Sequence, residues 1–205
     1  MKLKVCGLSN PIEIETCIDN DINFCGFILN YPKSHRYISY EKAKKLLSIN
    51  KNKTQYVGVL VRPNLEELEK FSQLNLDYFQ LYGQYDSNSL IDIRNKFQKK
   101  IITTIQVKNK SDIRAYKNIE RMSDIILWDS TGYEKSLGWN HYWIKDIKIK
   151  GEKMIAGNIT KDKLSDLSKL ADIVDVSGAL ETNKVKDIDK IKEFITHVKK
   201  INNEN

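Results

Sequence analysis

Eight short apolar runs recur along the chain about 25 residues apart, and no other feature of the sequence constrains the fold as strongly. The runs are continuous rather than alternating and contain many β-branched residues, which is typical of parallel strands covered on both faces. An interval of this length holds one strand and one crossover helix. The runs cover residues 2–7, 23–29, 55–61, 77–83, 100–107, 124–129, 152–157 and 172–178.

Helix-start signals stand between these runs. Pro11 occupies a first helical position, and Asn64 with Glu67 forms the pattern of a capping box. Further cap residues precede amphipathic stretches at Ser39, Asp86, Ser111, Asn140, Thr160 and Asp187. Eight strand–helix units predict an α/β protein, a closed single-domain (β/α)8 TIM barrel. A doubly wound open sheet is the alternative, although it normally has fewer strands at this length.

The length of 205 residues suits one core, and no interdomain linker interrupts it. We therefore expect residues 1–205 to form one domain with a frayed tail at 201–205. No apolar run reaches 18 residues, and Gly7 and Ser9 interrupt the first apolar stretch, so neither a membrane span nor a signal peptide is predicted. The expected location is cytoplasmic.

The formal charge of +7 raises the question of nucleic-acid binding. Only five of the 34 basic residues are arginine, and the lysines are scattered among acidic residues along predicted helices. This pattern indicates a solvated surface rather than a phosphate-backbone interface, so no nucleic-acid partner is predicted. The three cysteines and three histidines lack paired or ligand spacing, and no metal site is predicted.

In a barrel of this kind the active site lies at the carboxyl ends of the strands. Cys6 ends the first run, and its thiol either packs in the core or serves as a base or nucleophile. Cys17 and Cys25 are better explained by packing. Asp129 ends the sixth run as either a cap or a pocket acid, and residues 130–139 after it form a long loop that could cover the site.

Two further features suggest anion binding. Arg36 lies in the polar loop after the second run, where its guanidinium suits a carboxylate or phosphate, or else a surface salt bridge. Gly157 and Gly178 end the seventh and eighth runs, where barrel enzymes often bind phosphate through backbone N–H groups.

Several segments, in this order along the chain, resemble the phosphoribosylanthranilate isomerase family of tryptophan biosynthesis. They are KVCGLSN, GFILNYPKSHRYIS, YVGVLV, FQLYG, ILWDS, IAGNI and DVSGALETNKVKD. The resemblance implies a (β/α)8 barrel and an Amadori rearrangement of N-(5-phosphoribosyl)anthranilate to 1-(2-carboxyphenylamino)-1-deoxyribulose 5-phosphate. It implies no metal or organic cofactor and a small-molecule phosphosugar-anthranilate substrate. We expect a monomer rather than a dimer.

The resemblance also implies roles for residues of this chain. Cys6 matches the general base, Asp129 the general acid, Arg36 the contact to the anthranilate carboxylate, and Asp175 an aspartate lining the pocket. The phosphate-binding turns correspond to Gly157, Asn158, Ser177, Gly178 and Ala179.

This sequence departs from the family pattern at several positions. Asn158 and Ala179 stand where the family usually has glycine, Tyr82 replaces a usual histidine, and KSLG at 135–138 keeps one glycine of a richer stretch. These departures predict weaker phosphate binding. The alternative function is a non-catalytic or diverged phosphate-sugar-binding barrel.

Overall fold

The structure, a computed structural model, describes residues 1–131 and 138–204. Eight parallel strands pair in chain order, and β1 pairs with β8 to close the barrel, which confirms the predicted (β/α)8 fold. Each strand falls within one of the eight apolar runs, apart from a one-residue extension of the sixth. The strands are β1 (Lys2–Cys6), β2 (Phe24–Ile28), β3 (Gln55–Val61), β4 (Tyr78–Tyr82), β5 (Lys100–Val107), β6 (Ile125–Ser130), β7 (Glu152–Ile155) and β8 (Ile173–Val176).

The crossovers differ between the two halves of the barrel. Full α-helices follow β1 to β4 and β8, whereas the connections after β5, β6 and β7 are mainly 3₁₀ turns at Lys110–Asn118, His141–Ile144 and Lys161–Lys163. A short hairpin, β9 (Glu181–Thr182) and β10 (Val185–Lys186), follows a 3₁₀ turn at Gly178–Leu180. The α-helices are α1 (Pro11–Asp19), α2 (Tyr40–Leu46), α3 (Leu65–Ser72), α4 (Ser87–Phe97), α5 (Leu164–Leu167) and α6 (Ile188–Glu204).

Side-chain caps start several of these helices. Asn64 and Glu67 form the predicted capping box of α3, each accepting a hydrogen bond from the other's backbone N–H. The 3₁₀ segment after β5 begins at Lys110, two residues earlier than a cap at the predicted Ser111 would place it, because Asn109 is the cap. The Asp112 carboxylate accepts hydrogen bonds from two preceding N–H groups at 2.8 Å, which fixes this earlier start.

The core consists of two apolar layers separated by the barrel wall. Leu3, Val5 and Trp128 face outward and pack beneath the helices. Phe24, Tyr78 and other inward-facing residues form a separate cluster that fills the amino-terminal half of the barrel. Burial on both faces explains why the strands were continuous apolar runs in the sequence.

The end of the chain differs from the prediction of a frayed tail. Helix α6 continues through residues 201–204, and Asn202 exchanges two hydrogen bonds with Met1, at 2.6 and 2.9 Å. Asn205 lies outside the described residues. Within the described part of the chain, no helix is both long and apolar enough to span a membrane.

Candidate active site

A cavity of about 590 Å³ opens at the carboxyl ends of the strands. This volume suits a small-molecule ligand rather than a polymer. All nine residues that the sequence suggested for the site line this cavity, although they come from opposite ends of the chain: Cys6, Arg36, Asp129, Gly157, Asn158, Asp175, Ser177, Gly178 and Ala179.

Asp129 projects into the cavity from the end of β6. Its Oδ2 accepts a hydrogen bond from the Tyr82 hydroxyl at 2.7 Å, and its Oδ1 accepts one from the Ser130 N–H at 2.7 Å. Burial raises the pKa of Asp129 to about 6, although both hydrogen bonds act to lower it. A carboxyl group with this pKa is protonated often enough near neutral pH to serve as a general acid.

Cys6 ends β1 and is buried, with 9% of its surface exposed. Burial raises the pKa of its thiol, and the neighbouring Lys4 ammonium acts in the opposite direction. The backbone of Cys6 is fixed as well, because the Ser177 hydroxyl donates a 2.8 Å hydrogen bond to its carbonyl oxygen. The thiol therefore faces the cavity from a rigid strand end.

Lys4 is a charged residue next to the cavity wall that the sequence did not single out. Its side chain is fully buried, and its ammonium donates hydrogen bonds to both carboxylate oxygens of Asp175 at 2.9 and 3.0 Å. Burial alone would lower the pKa of Lys4, but Asp175 and Cys6 outweigh burial and raise it. Its position two residues before Cys6, on the same face of the strand, was the available signal.

Arg36 lies against an acidic partner that the sequence reasoning also missed. Its Nε and Nη2 donate to the two carboxylate oxygens of Glu181, at 2.5 and 2.9 Å. Lys186 donates to the same carboxylate at 2.5 Å. Burial would raise the pKa of Glu181, but Arg36 and Lys186 outweigh burial and lower it to about 2. The Arg36 guanidinium is thus held in one orientation at the wall of the cavity.

The structure explains why glycine follows Cys6 in the sequence. Gly7 has a φ of +80°, a conformation that L-residues rarely adopt. The Arg36 side chain also crosses directly over it, because a Cβ at position 7 would lie 2.5 Å from Arg36 Cδ. Gly7 therefore lets the end of β1 and the loop after β2 approach each other.

The turn after β7 has the geometry expected of an anion-binding turn. Gly157 and Asn158 both have positive φ values, +91° and +52°. Asparagine tolerates this conformation better than most residues, so the turn keeps its shape without a second glycine. Ala179 lies in the 3₁₀ turn Gly178–Leu180 and does not have positive φ, so its side chain causes no backbone strain there.

Two predictions about the loop after β6 lie partly outside the described residues. These are the covering role of residues 130–139 and the KSLG segment at 135–138, since 132–137 are not described. Among residues 1–131 and 138–204, no three His, Cys, Asp or Glu side chains are placed to hold a metal ion.

Comparison with known proteins identifies the family. The sequence model of the N-(5'-phosphoribosyl)anthranilate (PRA) isomerase family matches residues 3–197 of this chain. The N-(5'-phosphoribosyl)anthranilate isomerase of Streptococcus mutans is 33% identical over 204 residues, covering 97% of this chain and 99% of its own. That of Streptococcus gordonii is 34% identical over 205 residues and covers 97% of each chain.

Solved structures of phosphoribosyl anthranilate isomerases superpose on this chain over nearly its whole length. Phosphoribosyl anthranilate isomerase from Thermotoga maritima superposes with a TM-score of 0.84 at 26% identity, covering 98% of this chain and 99% of its own. Another phosphoribosyl anthranilate isomerase, solved with reduced 1-(o-carboxyphenylamino)-1-deoxyribulose 5-phosphate, superposes with a TM-score of 0.80 at 26% identity and the same coverage. The chain belongs to the N-(5'-phosphoribosyl)anthranilate isomerase family.

Proposed function

We propose that this protein isomerises N-(5-phosphoribosyl)anthranilate to 1-(2-carboxyphenylamino)-1-deoxyribulose 5-phosphate in tryptophan biosynthesis. One observation carries the proposal: a thiol and a carboxyl group of raised pKa line the same cavity. They come from β1 and β6, which lie three strands apart around the barrel. Acid–base catalysis on a sugar needs such a pair on different sides of the substrate.

The proposed chemistry assigns one proton transfer to each group. Asp129 donates its proton to the furanose ring oxygen, the C1′–O bond breaks, and the aniline nitrogen supplies the electron pair that forms the protonated Schiff base. The Cys6 thiolate then removes the proton from C2′. The electron pair of the C2′–H bond forms the C1′–C2′ double bond and neutralises the iminium. The resulting enolamine tautomerises to the ketone, with no net gain or loss of protons.

The walls of the cavity fit the two anionic ends of this substrate. The turns after β7 and β8 supply backbone N–H groups for the phosphate, with Gly157 and Asn158 at positive φ. Arg36 lies at the wall and is suited to the anthranilate carboxylate. The relative solved with a reduced form of the product supports a ligand of this class. Weaker phosphate binding stays a prediction, to be measured as KM.

The test is direct turnover. Phosphoribosylanthranilate made in situ from anthranilate and phosphoribosyl pyrophosphate fluoresces, and its loss is followed while the product is identified by mass spectrometry. We expect enzyme-dependent loss with formation of the ketose. A folded protein that binds the product by calorimetry but does not consume the substrate would support the phosphate-sugar-binding barrel instead.

We further propose that the protein is a monomer. Four large apolar side chains are exposed among the described residues, and they lie on four different elements: Ile12, Leu65, Tyr142 and Val185. Light scattering coupled to size-exclusion chromatography tests the oligomeric state. A mass of 23.9 kDa is expected, and twice this mass would contradict the monomer.

A further inference from the structure

The buried lysine in the centre of the barrel needs an explanation. Lys4 has no exposed surface, and taking an ammonium out of water costs several kcal/mol. The Asp175 carboxylate offsets this cost. A buried ion pair, however, is often no more stabilising than apolar residues of similar volume. Stability alone therefore does not account for the pair.

The position of the Lys4 ammonium points to its role. Lys4 and Cys6 are two residues apart on β1, so both side chains project from the same face of the strand. Gly26 on β2 makes room for both groups, because a Cβ there would lie 3.0 Å from Lys4 Nζ and 3.0 Å from Cys6 Sγ. Asp175 accepts two hydrogen bonds from the same ammonium. The ammonium thus lies between a carboxylate and the thiol.

We propose that Lys4 is a positioning residue that stabilises the thiolate of Cys6, and that Asp175 holds the Lys4 ammonium in place. The proposal rests on the proposed role of Cys6 as the general base. Ionisation of the thiol releases a proton and leaves a negative charge on sulfur beside the ammonium. When the thiolate takes the C2′ proton, an S–H bond forms and the same charge disappears. Lys4 itself neither gains nor loses a proton.

The other charged and titratable groups near Cys6 have smaller or opposite effects. Asp175 on β8 disfavours the thiolate, and Lys186 on β10 favours it less strongly than Lys4 does. Tyr82 on β4 and Asp129 on β6 also face this part of the cavity. Among these groups, Lys4 makes the largest contribution in favour of the charged sulfur. Its removal should therefore raise the pKa of Cys6.

Alkylation by iodoacetamide tests the proposal without substrate. The rate at Cys6 is measured from pH 6 to 10 by fragment mass spectrometry in wild type, Lys4→Met and Lys4→Met/Asp175→Asn. The double variant removes both charges of the buried pair, so it is informative even if Lys4→Met does not fold. Lys2→Met is the matched control, because Lys2 lies on β1 like Lys4 but at its amino-terminal end, where it pairs with Glu152 of β7.

We expect the rate profiles of the folded Lys4 variants to move to higher pH. Alkylation at pH 8 should slow about tenfold for each pH unit by which the profile moves. The Lys2→Met profile should match wild type. A profile that stays in place, moves to lower pH or drops uniformly at all pH values would overturn the proposal. If wild type lacks turnover, the proposed function fails, whereas the alkylation profiles still report on Lys4.

Discussion

Replacing Tyr82 with phenylalanine removes the hydrogen bond that its hydroxyl donates to the proposed acid, together with the longer 3.4 Å bond that the hydroxyl accepts from Gln80 Nε2. The Tyr82 hydroxyl donates to Asp129 Oδ2 at 2.7 Å and favours the ionised carboxylate. A hydrogen bond to a charged group contributes about 1.5–3 kcal/mol, and about 1.4 kcal/mol corresponds to one pKa unit. Water entering the cavity replaces part of the stabilisation that the carboxylate loses with the tyrosine hydroxyl. We therefore expect the pKa of Asp129 to rise by about 1 from its value of about 6.

The pH profile of kcat/KM reports this change in the free enzyme. The reactive form has Asp129 protonated and Cys6 ionised. Because the pKa of Asp129 lies below that of Cys6, the fraction in this form rises with pH until Asp129 ionises and is then constant until Cys6 ionises. The kcat/KM profile therefore has a rising lower limb that bends into the plateau near pH 6 in wild type. We expect this bend near pH 7 in Tyr82→Phe.

The position of the limb is the readout rather than the height of the plateau. A weaker acid is protonated more often but donates less readily, so the two effects oppose each other in the plateau. Tyr85→Phe is the matched control, since Tyr85 is three residues further along and is absent from the described cavity lining. A Tyr82→Phe limb that stays at the wild-type pH, or moves to lower pH, would refute the assignment of that limb to Asp129.

Three further predictions concern the surrounding structure. Gly7→Ala should lower the unfolding free energy by about 1–3 kcal/mol in urea titrations, because alanine would adopt a φ of +80° and contact Arg36. Gly138→Ala, whose Cβ would lie no closer than 3.4 Å to the part of the chain that the structure describes, should change the unfolding free energy little, and equal losses in the two variants would contradict the argument. Gly157→Ala should raise KM more than it lowers kcat, since a Cβ there meets Ser130 at 3.0 Å and strains the proposed phosphate turn; an unchanged KM would exclude that role. Glu181→Gln should cost about 3 kcal/mol at pH 7, because the folded pKa of about 2 lies below the unfolded value near ~4.3. This stabilisation is complete above the unfolded pKa and is lost as pH falls through the folded one, so the two proteins should converge toward pH 2, and a constant difference would refute the argument.

The barrel was predictable because its main determinants are local. Strands buried on both faces must be continuous apolar runs, and caps such as Asn64 with Glu67 lie within four residues of each other. The cavity residues were predictable for a related reason. In a parallel barrel every strand ends at the same face, so Cys6 and Asp129 had to lie at one opening.

Two of the ion pairs in and around the cavity were not predictable, because each joins distant parts of the chain. Lys4 and Asp175 are 171 residues apart, and Arg36 and Glu181 are 145 apart. A lysine within an apolar run is compatible with either an exposed strand end or a buried pair. Only closure of β1 against β8 decides between them.

The most direct test of the account is the turnover of Cys6→Ala and Asp129→Asn beside wild type and Cys25→Ala. Cys25 is a matched control, because it is also a buried cysteine, lies on the adjacent strand and faces the outer core. We predict that the first two variants fold but lose about 10²- to 10⁴-fold in kcat/KM, whereas Cys25→Ala retains wild-type turnover within about tenfold. Wild-type turnover in a folded Cys6→Ala or Asp129→Asn protein would contradict the acid–base assignment on which the account depends.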